Sequence, residues 1–217
     1  MKKISKMVIR RLPRYYRYLS DLKAEGVDRI SSTELSRRLK ITASQIRQDL
    51  NCFGGFGQQG YGYNVAQLHA AIGDILGLSA QYKMIIIGAG NLGHALANYA
   101  GFARRGFRIV AMFDVDPEIV GTRVHDITVL HIDELDAFCK GEKPEIAVLT
   151  LTKTAAPEIA EKLASLGIRG IWNFSYMELV APPGVVVENV HLSDSLMTLS
   201  HHITDATLGK NKNKENK

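Results

Sequence analysis

Only two cysteines occur in the 217 residues, Cys52 and Cys139, and they fall in differently patterned segments. That excludes a disulfide framework and points to a reducing, cytoplasmic setting. No run approaches the roughly 20 consecutive apolar residues of a membrane-spanning helix. The basic N-terminus is not followed by an apolar h-region, which argues against a secretory signal. The histidines, at His69, His94, His125, His131, His191, His201 and His202, lack metal-ligand spacing, so no metal is expected. Catalytic groups are missing too. There is no Tyr-x-x-x-Lys pair, no His–Asp pair suited to hydride transfer and no substrate domain, so an enzyme is not expected.

What the chain does have is unevenly placed charge. Residues 1–80 carry 13 Lys and Arg against 6 Asp and Glu, residues 81–209 carry 10 against 15, and residues 210–217 carry 4 against 1. The first segment alone has the electrostatic footprint of a polyanion binder. The length allows one large domain or two small ones. The expected division is a DNA-binding domain at 1–80, a nucleotide-binding domain at 81–190, a dimerisation helix at 191–209 and a disordered basic tail at 210–217.

In the first segment, Leu12, Tyr15, Tyr16, Leu19 and Leu22 recur at helical spacing among Arg10, Arg11, Arg14 and Arg17, and Gly26 ends that helix. Ser31-Ser32-Thr33-Glu34 reads as a capping box, Lys40-Ile41 as a tight turn, and Thr42-Ala43-Ser44-Gln45 as a second box. The helix it opens places Ile46, Leu50 and Phe53 inward. Two short helices across a tight turn make a helix-turn-helix, although a small helical protein–protein module has the same pattern. As a DNA reader, its second helix would offer Ser44, Gln45, Arg47 and Gln48 to base edges and phosphates. Phe53–Tyr63 then holds five glycines and reads as a hairpin wing with Gln58, Gln59 and Gly60 at its tip. The alternative is a flexible glycine linker, which the aromatics at 53, 56, 61 and 63 oppose. A further helix carries Leu68, Ile72, Ile75 and Leu76.

Met84-Ile85-Ile86-Ile87 runs directly into Gly88-Ala89-Gly90-Asn91-Leu92-Gly93, which opens a helical pattern through Leu92, Ala95, Leu96 and Tyr99. In such a turn the first glycine bends the chain, the second admits a pyrophosphate and the third lets helix pack on strand. The anion then sits on the helix N-terminus. A second strand, Arg108–Phe113, ends at Asp114, where a carboxylate accepts from an adenosine ribose and repels a 2′-phosphate, so NADH or NAD is expected rather than its phosphorylated form. Strands at Glu145–Leu151, Gly170–Phe174 and Val185–Val190, with a helix at Ala155–Leu166, complete a parallel sheet. Its C-terminal strand ends put Thr150, Leu151, Thr152, Asn173 and Phe174 near the cofactor. Cys52 reads either as a redox reporter or as small filler. A last apolar helix from Leu192 to about Leu208 invites docking on a second subunit. The fold class expected is α/β: an N-terminal winged helix-turn-helix domain and a Rossmann-type parallel-sheet domain.

Several motifs in order carry a resemblance: Arg11-Leu12-Pro13-Arg14-Tyr15-Tyr16-Arg17, Ser31-Ser32-Thr33-Glu34-Leu35, Gln45-Ile46-Arg47-Gln48-Asp49-Leu50, Gly60-Tyr61-Gly62-Tyr63-Asn64-Val65, Gly88–Gly93, Phe113-Asp114-Val115-Asp116 and Gly167–Phe174. From about residue 8 to 208 the chain resembles the Rex family of redox-sensing transcriptional repressors. The resemblance implies a homodimer with a C-terminal helix swapped between subunits. It also implies release from inverted-repeat operator DNA at a high NADH/NAD ratio. By position, Arg17 and Tyr99 match residues the family uses to couple cofactor to DNA-domain orientation, and His191 stands where the family has the joining aspartate. Other departures are Gln48 and the pair Gln58-Gln59 for basic residues, Asn51-Cys52 for Ser-Tyr, Leu151-Thr152 for Val-Pro and Ser175-Tyr176 for Ala-Pro. Three lost cations per subunit remove up to about six phosphate contacts per dimer, each worth about 0.9 in the salt slope. Two other functions fit parts of the pattern: a Rex-like protein with lost or altered DNA binding that acts as an NAD(H)-binding interaction protein, and a small NAD-dependent oxidoreductase.

Overall fold

The computed structural model describes residues 4–54, 57–58 and 61–215. The chain divides into two compact units, Met1–Ala80 and Gln81–Lys217.

The first unit begins with α1 (Lys6–Ala24), capped by Ser5, whose hydroxyl accepts from the Val8 N–H. Val8, Leu12, Tyr15, Leu19 and Leu22 form its buried stripe, the 3.6-residue period expected of a helix lying on a core. After β1 (Arg29–Ile30) come α2 (Ser32–Leu39) and α3 (Ala43–Asn51). Between the helices Lys40 takes the left-handed conformation, φ 52°, which makes the turn tight. Both caps form on the backbone side: Ser31 Oγ accepts from Glu34 N at 3.1 Å and Thr42 Oγ1 from Gln45 N at 3.2 Å. The reciprocal half of the second box is absent, because the Gln45 amide turns instead to Asp49.

The wing is a hairpin of β2 (Gly57–Gln58) and β3 (Gly62–Asn64), extended by β1 on the far side of β3. Gly62 is obligatory: its φ is +71°, and a Cβ there would stand 2.6 Å from the Ile30 carbonyl oxygen. Helix α4 (Val65–Ile75) closes the unit and buries Leu68 and Ile72 against α1, completing one core with Ile30, Leu35, Ile46, Leu50 and Tyr63.

The second unit is built on a seven-stranded sheet of β4 (Tyr82–Ile87), β5 (Phe107–Asp114), β6 (Arg123–Val124), β7 (Ile127–His131), β8 (Ile146–Leu149), β9 (Gly170–Asn173) and β10 (Val186–Asn189), in the order β10-β9-β8-β4-β5-β7-β6. All pairs are parallel except β6 with β7. Counted in chain order, the parallel strands read 3-2-1-4-5-6, the doubly wound dinucleotide-binding arrangement. β4 lies at the centre, and its alternate residues face opposite layers. Ile85 and Ile87 pack with α6 (Leu135–Glu142) and α7 (Ala156–Ser165), while Met84 and Ile86 face the side of α5 (Asn91–Ala97).

Three expectations are corrected here. α5 stops at Ala97, capped by Asn98, so Tyr99 lies beyond it and is 52 % exposed rather than on an inner helical face. Ala95 is exposed as well. The β6–β7 hairpin, absent from the sequence reading, forms the sheet edge beyond β5, and α6, also absent from it, packs on the sheet face. The last helix, α8 (Leu192–Glu215), continues past Leu208 into the segment expected to be a disordered tail. A lone Gly209 weakens a helix without stopping it, and the Lys, Glu and Asn that follow include good helix formers with no proline.

Candidate nucleotide cradle and nucleic-acid interface

The cradle forms where β4, α5 and β8 meet at the topological switch point. Gly88 leaves β4 with φ +99°, and a Cβ there would lie 2.7 Å from the Thr150 carbonyl oxygen. Thr150 Oγ1 donates to the Gly88 carbonyl at 2.6 Å and to that of Ile87 at 3.1 Å, tying the end of β8 to the turn. Gly93 is buried, and a Cβ on it would collide with the Gly88 carbonyl. Gly90 is different. It is the N-cap of α5, no side chain caps the helix there, and nothing lies within 4 Å of a Cβ position. The backbone is therefore open where the pyrophosphate of a dinucleotide would approach a helix N-terminus.

Asp114 ends β5 beside the turn. Its Oδ2 accepts from Ala89 N at 2.6 Å and its Oδ1 from Val115 N at 2.7 Å and Asp116 N at 3.0 Å. This carboxylate both braces the glycine turn and, with three of its roughly four lone-pair sites used, keeps an acceptor site for a ribose hydroxyl. Around it opens a cleft of about 360 Å³ lined by Gly88, Gly90, Asp114, Thr150 and Thr152 with apolar walls that include Val115, Leu151 and Ile132. These residues fit a dinucleotide: an uncapped anion site, a carboxylate and an apolar slot lie in one crevice. Ala89 contributes its N–H to Asp114, and Asn91 and Leu92 form the first turn of α5.

Asn173 and Phe174 do not line this cleft. Asn173 is fully buried; its amide nitrogen donates to Met177 O and Asn189 Oδ1, and its oxygen accepts from the Ser175 N–H and hydroxyl. It latches the loop between β9 and β10, and its polar atoms are all committed. Phe174 packs edge-on to Trp172, 4.6 Å between centroids. Ile132 follows β7, which the sequence reading missed; the alternation of Ile127, Val129 and His131 after Gly121 was the available signal.

On the first unit, Ser44, Arg47 and Gln48 are exposed on α3, as is Arg14 on α1. Arg47 Nη1 donates to Ser32 Oγ at 2.9 Å, across from α3 to α2. Gln58 is described by its backbone alone, and Gln59 and Gly60 lie outside the described residues. Arg11, expected on the DNA face, is otherwise engaged. Its Nε and Nη2 grip Asp49 at 2.6 and 2.7 Å in a two-pronged fork. Asp49 is fully buried and also accepts from Tyr15 OH at 2.7 Å and Gln45 Nε2 at 2.8 Å. The sequence reading overlooked Asp49 because its partner lies 38 residues away.

Burial alone would raise the Asp49 carboxyl pKa, but hydrogen bonds from Arg11, Tyr15 and Gln45 outweigh it and hold the value below the ordinary carboxylate range. Burial, and then the bond to Asp49, push the Tyr15 phenol up. The signs give a pH window. A lowered carboxyl adds stability above its unfolded pKa of about 4 that disappears as pH falls through the folded value; a raised phenol adds stability below about 10 that disappears as pH climbs past it. Thermal melts across pH are expected to fall at both ends, and Tyr15→Phe is expected to flatten the alkaline limb and, because Asp49 loses one of the bonds that hold its carboxyl low, to shrink the acid limb as well. An alkaline limb unchanged in that variant would contradict the assignment.

Of the residues proposed to couple cofactor and DNA, Arg17 is exposed on α1 in the first unit. Tyr99 stacks edge-on to Phe102 in the second, and His191 Nε2 lies 3.3 Å from Glu178 Oε1. Cys52 is exposed and Cys139 buried, both as thiols. Among the described residues, no cluster of His, Cys, Asp and Glu has the grouping of a metal site, and no helix is long and apolar enough to cross a membrane.

Two family models match the chain, a putative DNA-binding protein N-terminus at residues 3–51 and a CoA binding domain at 79–177. Fold and site together define a class: DNA-binding regulators with a dinucleotide-binding domain in the same chain. The redox-sensing transcriptional repressor Rex of Clostridioides difficile (strain 630) is 54 % identical over 200 residues, 92 % of this chain and 95 % of that protein, and Rex of Clostridium botulinum (strain Alaska E43 / Type E3) is 52 % identical over 202, 93 % and 96 %. The chain belongs to the Rex family of redox-sensing transcriptional repressors. Its relatives are named as repressors, not as enzymes. RSP, a Rex-family repressor of known crystal structure, superposes with a TM-score of 0.89 at 46 % identity over 97 % of this chain and 99 % of its own. RSP structures in complex with β-NAD⁺ and operator DNA and with β-NADH each give 0.88, at 48 and 45 % identity, covering 99 and 97 % of this chain and 99 % of the RSP chain in each case.

Proposed function

We propose that this chain is a homodimeric transcriptional repressor that reads the NADH/NAD⁺ ratio, binding an inverted-repeat operator when NADH is low and leaving it when NADH is bound. The observation that carries this is the union, in one chain, of a wing-flanked α3 and the glycine cradle with its open Gly90 and ribose-side Asp114. The RSP complexes with the same nucleotides and with operator DNA support it. NADH would lie with its pyrophosphate at Gly90 and its ribose at Asp114; its reduced nicotinamide is the signal, and no hydride transfer is required.

The sheet face beside α5 supports the dimer. That helix is short, and it leaves an apolar groove of about 330 Å³ between Met84, Phe102, Phe107, Ile146, Ile171 and Trp172. α8 carries Leu192, Leu196, Met197 and Leu199 at 53–65 % exposure, an apolar surface suited to a second subunit. Two-fold symmetry would match a palindromic operator. The protein would act in the cytoplasm. His191, where relatives are expected to carry aspartate, would remove an ion pair to Arg17 from the link that also involves Tyr99. A double-mutant cycle of Arg17 and His191 on NADH-driven release reads any coupling directly.

One observation favours a second reading, an NAD(H)-binding interaction protein: Arg11 is committed to Asp49, and Gln48, Gln58 and Gln59 carry no charge. Fluorescence anisotropy of a labelled AT-rich inverted repeat decides. Binding at low salt that NADH reverses and NAD⁺ does not is the expected result, with a log–log salt slope losing about 0.9 per missing phosphate contact. A folded dimer that holds NADH yet ignores DNA at low salt would overturn the repressor reading.

A further inference from the structure

Asp49 determines how a neighbouring residue of α3 is presented. A carboxylate can only accept hydrogen bonds, so the end of the Gln45 amide that faces it must be the nitrogen. The Gln45 oxygen is turned elsewhere and meets no donor among the described residues. Gln45 lies in the first turn of α3, half-exposed, with Ser44, Arg47 and Gln48 exposed around it. The N-terminal residues of a recognition helix are those that reach base edges.

One amide N–H is used by Asp49. An acceptor and one N–H remain on the same planar group. That pair complements adenine in the major groove, which offers the N6 donor beside the N7 acceptor. Guanine presents two acceptors there and leaves the amide oxygen unmatched, and cytosine presents a donor alone. An amide already locked in orientation also loses less rotational freedom on contact with DNA.

We propose that Gln45 reads one A·T pair in each half-site and that Asp49 is the positioning residue that sets its amide for that purpose. This rests on the DNA-binding reading above. Arg11 and Tyr15 serve the same end, since their three bonds hold the Asp49 carboxylate still.

The test is selection from a duplex library randomised over the half-site, sequenced for the wild-type protein, Gln45→Glu and Asp49→Asn, with folding of each checked by circular dichroism. The wild type is expected to select a position with strong A·T preference. In Gln45→Glu the new carboxylate is repelled by Asp49 and can only accept, so preference at that one position should turn toward the cytosine N4 donor, with A·T discrimination falling roughly 5- to 150-fold and the other positions unchanged. Asp49→Asn should broaden the same position. If that variant fails to fold, Gln45→Glu decides alone. Affinity lost evenly across all positions would reduce Gln45 and Asp49 to structural support and overturn the proposal. A folded wild type that selects no sequence would instead sink the DNA-binding reading, and this inference with it.

Discussion

Asp49→Ala is expected to cost the first unit about 3 kcal/mol and to lower its melting temperature by roughly 15 °C. The carboxylate is fully buried and closes four hydrogen bonds from α1 and α3. Removing it strands the Tyr15 hydroxyl inside the core and leaves a guanidinium with no counter-charge. Arg11 is 25 % exposed, so water relieves part of that cost. Replacing both charges with apolar groups, as in Arg11→Met with Asp49→Leu, should recover the part of the loss that comes from the unpaired guanidinium, because a buried ion pair stabilises little against well-packed hydrophobic residues, while the Tyr15 hydroxyl stays without its acceptor. The double variant would then be folded and yet lack the bond that orients Gln45. Circular dichroism melts of the three proteins check this, and a shift under about 3 °C for Asp49→Ala would show that the network contributes little.

The glycines of the cradle should separate into two kinds. Gly93→Ala forces a methyl into the Gly88 carbonyl, and Gly88→Ala combines φ +99° with a 2.7 Å approach to the Thr150 carbonyl. Each is expected to destabilise the second unit by about 3 kcal/mol and to abolish NADH binding, since backbone on both sides prevents relief. Gly90→Ala sits at φ −72° with nothing within 4 Å. Its fold should be untouched, with the melting temperature unchanged to about a degree, but the methyl takes the space a pyrophosphate needs, and NADH affinity should fall about tenfold or more. Calorimetric titration beside thermal melts distinguishes the kinds. Wild-type NADH affinity in Gly90→Ala would mean that the dinucleotide does not lie on the N-terminus of α5.

Much of this fold was legible where the governing interactions are local. The caps at Ser31 and Thr42 and the inward stripe of α1 each follow from residues within a few positions of one another. The glycine turn and Asp114 could be read for a related reason: a tight backbone needs specific residue types at specific spacing. The β6–β7 hairpin escaped because its strands are short and flanked by polar residues. Tyr99 was assigned to α5 because its spacing from Leu96 is helical, although the backbone had already turned at Asn98.

The sequence by itself determined the two-unit plan, the basic first unit, the helix-turn-helix with its wing, and the type of nucleotide the cradle can hold, because periodicity, capping and glycine chemistry act over a handful of residues. Only the tertiary structure decided what the polar groups do. It turned Arg11 from the expected DNA face to Asp49, buried Asn173 as a latch under the β9–β10 loop, and gave Asp114 three backbone donors. A polar side chain removed from water must find a partner wherever the fold brings one, and in these cases the partner came from another element or from backbone that only the folded turn presents.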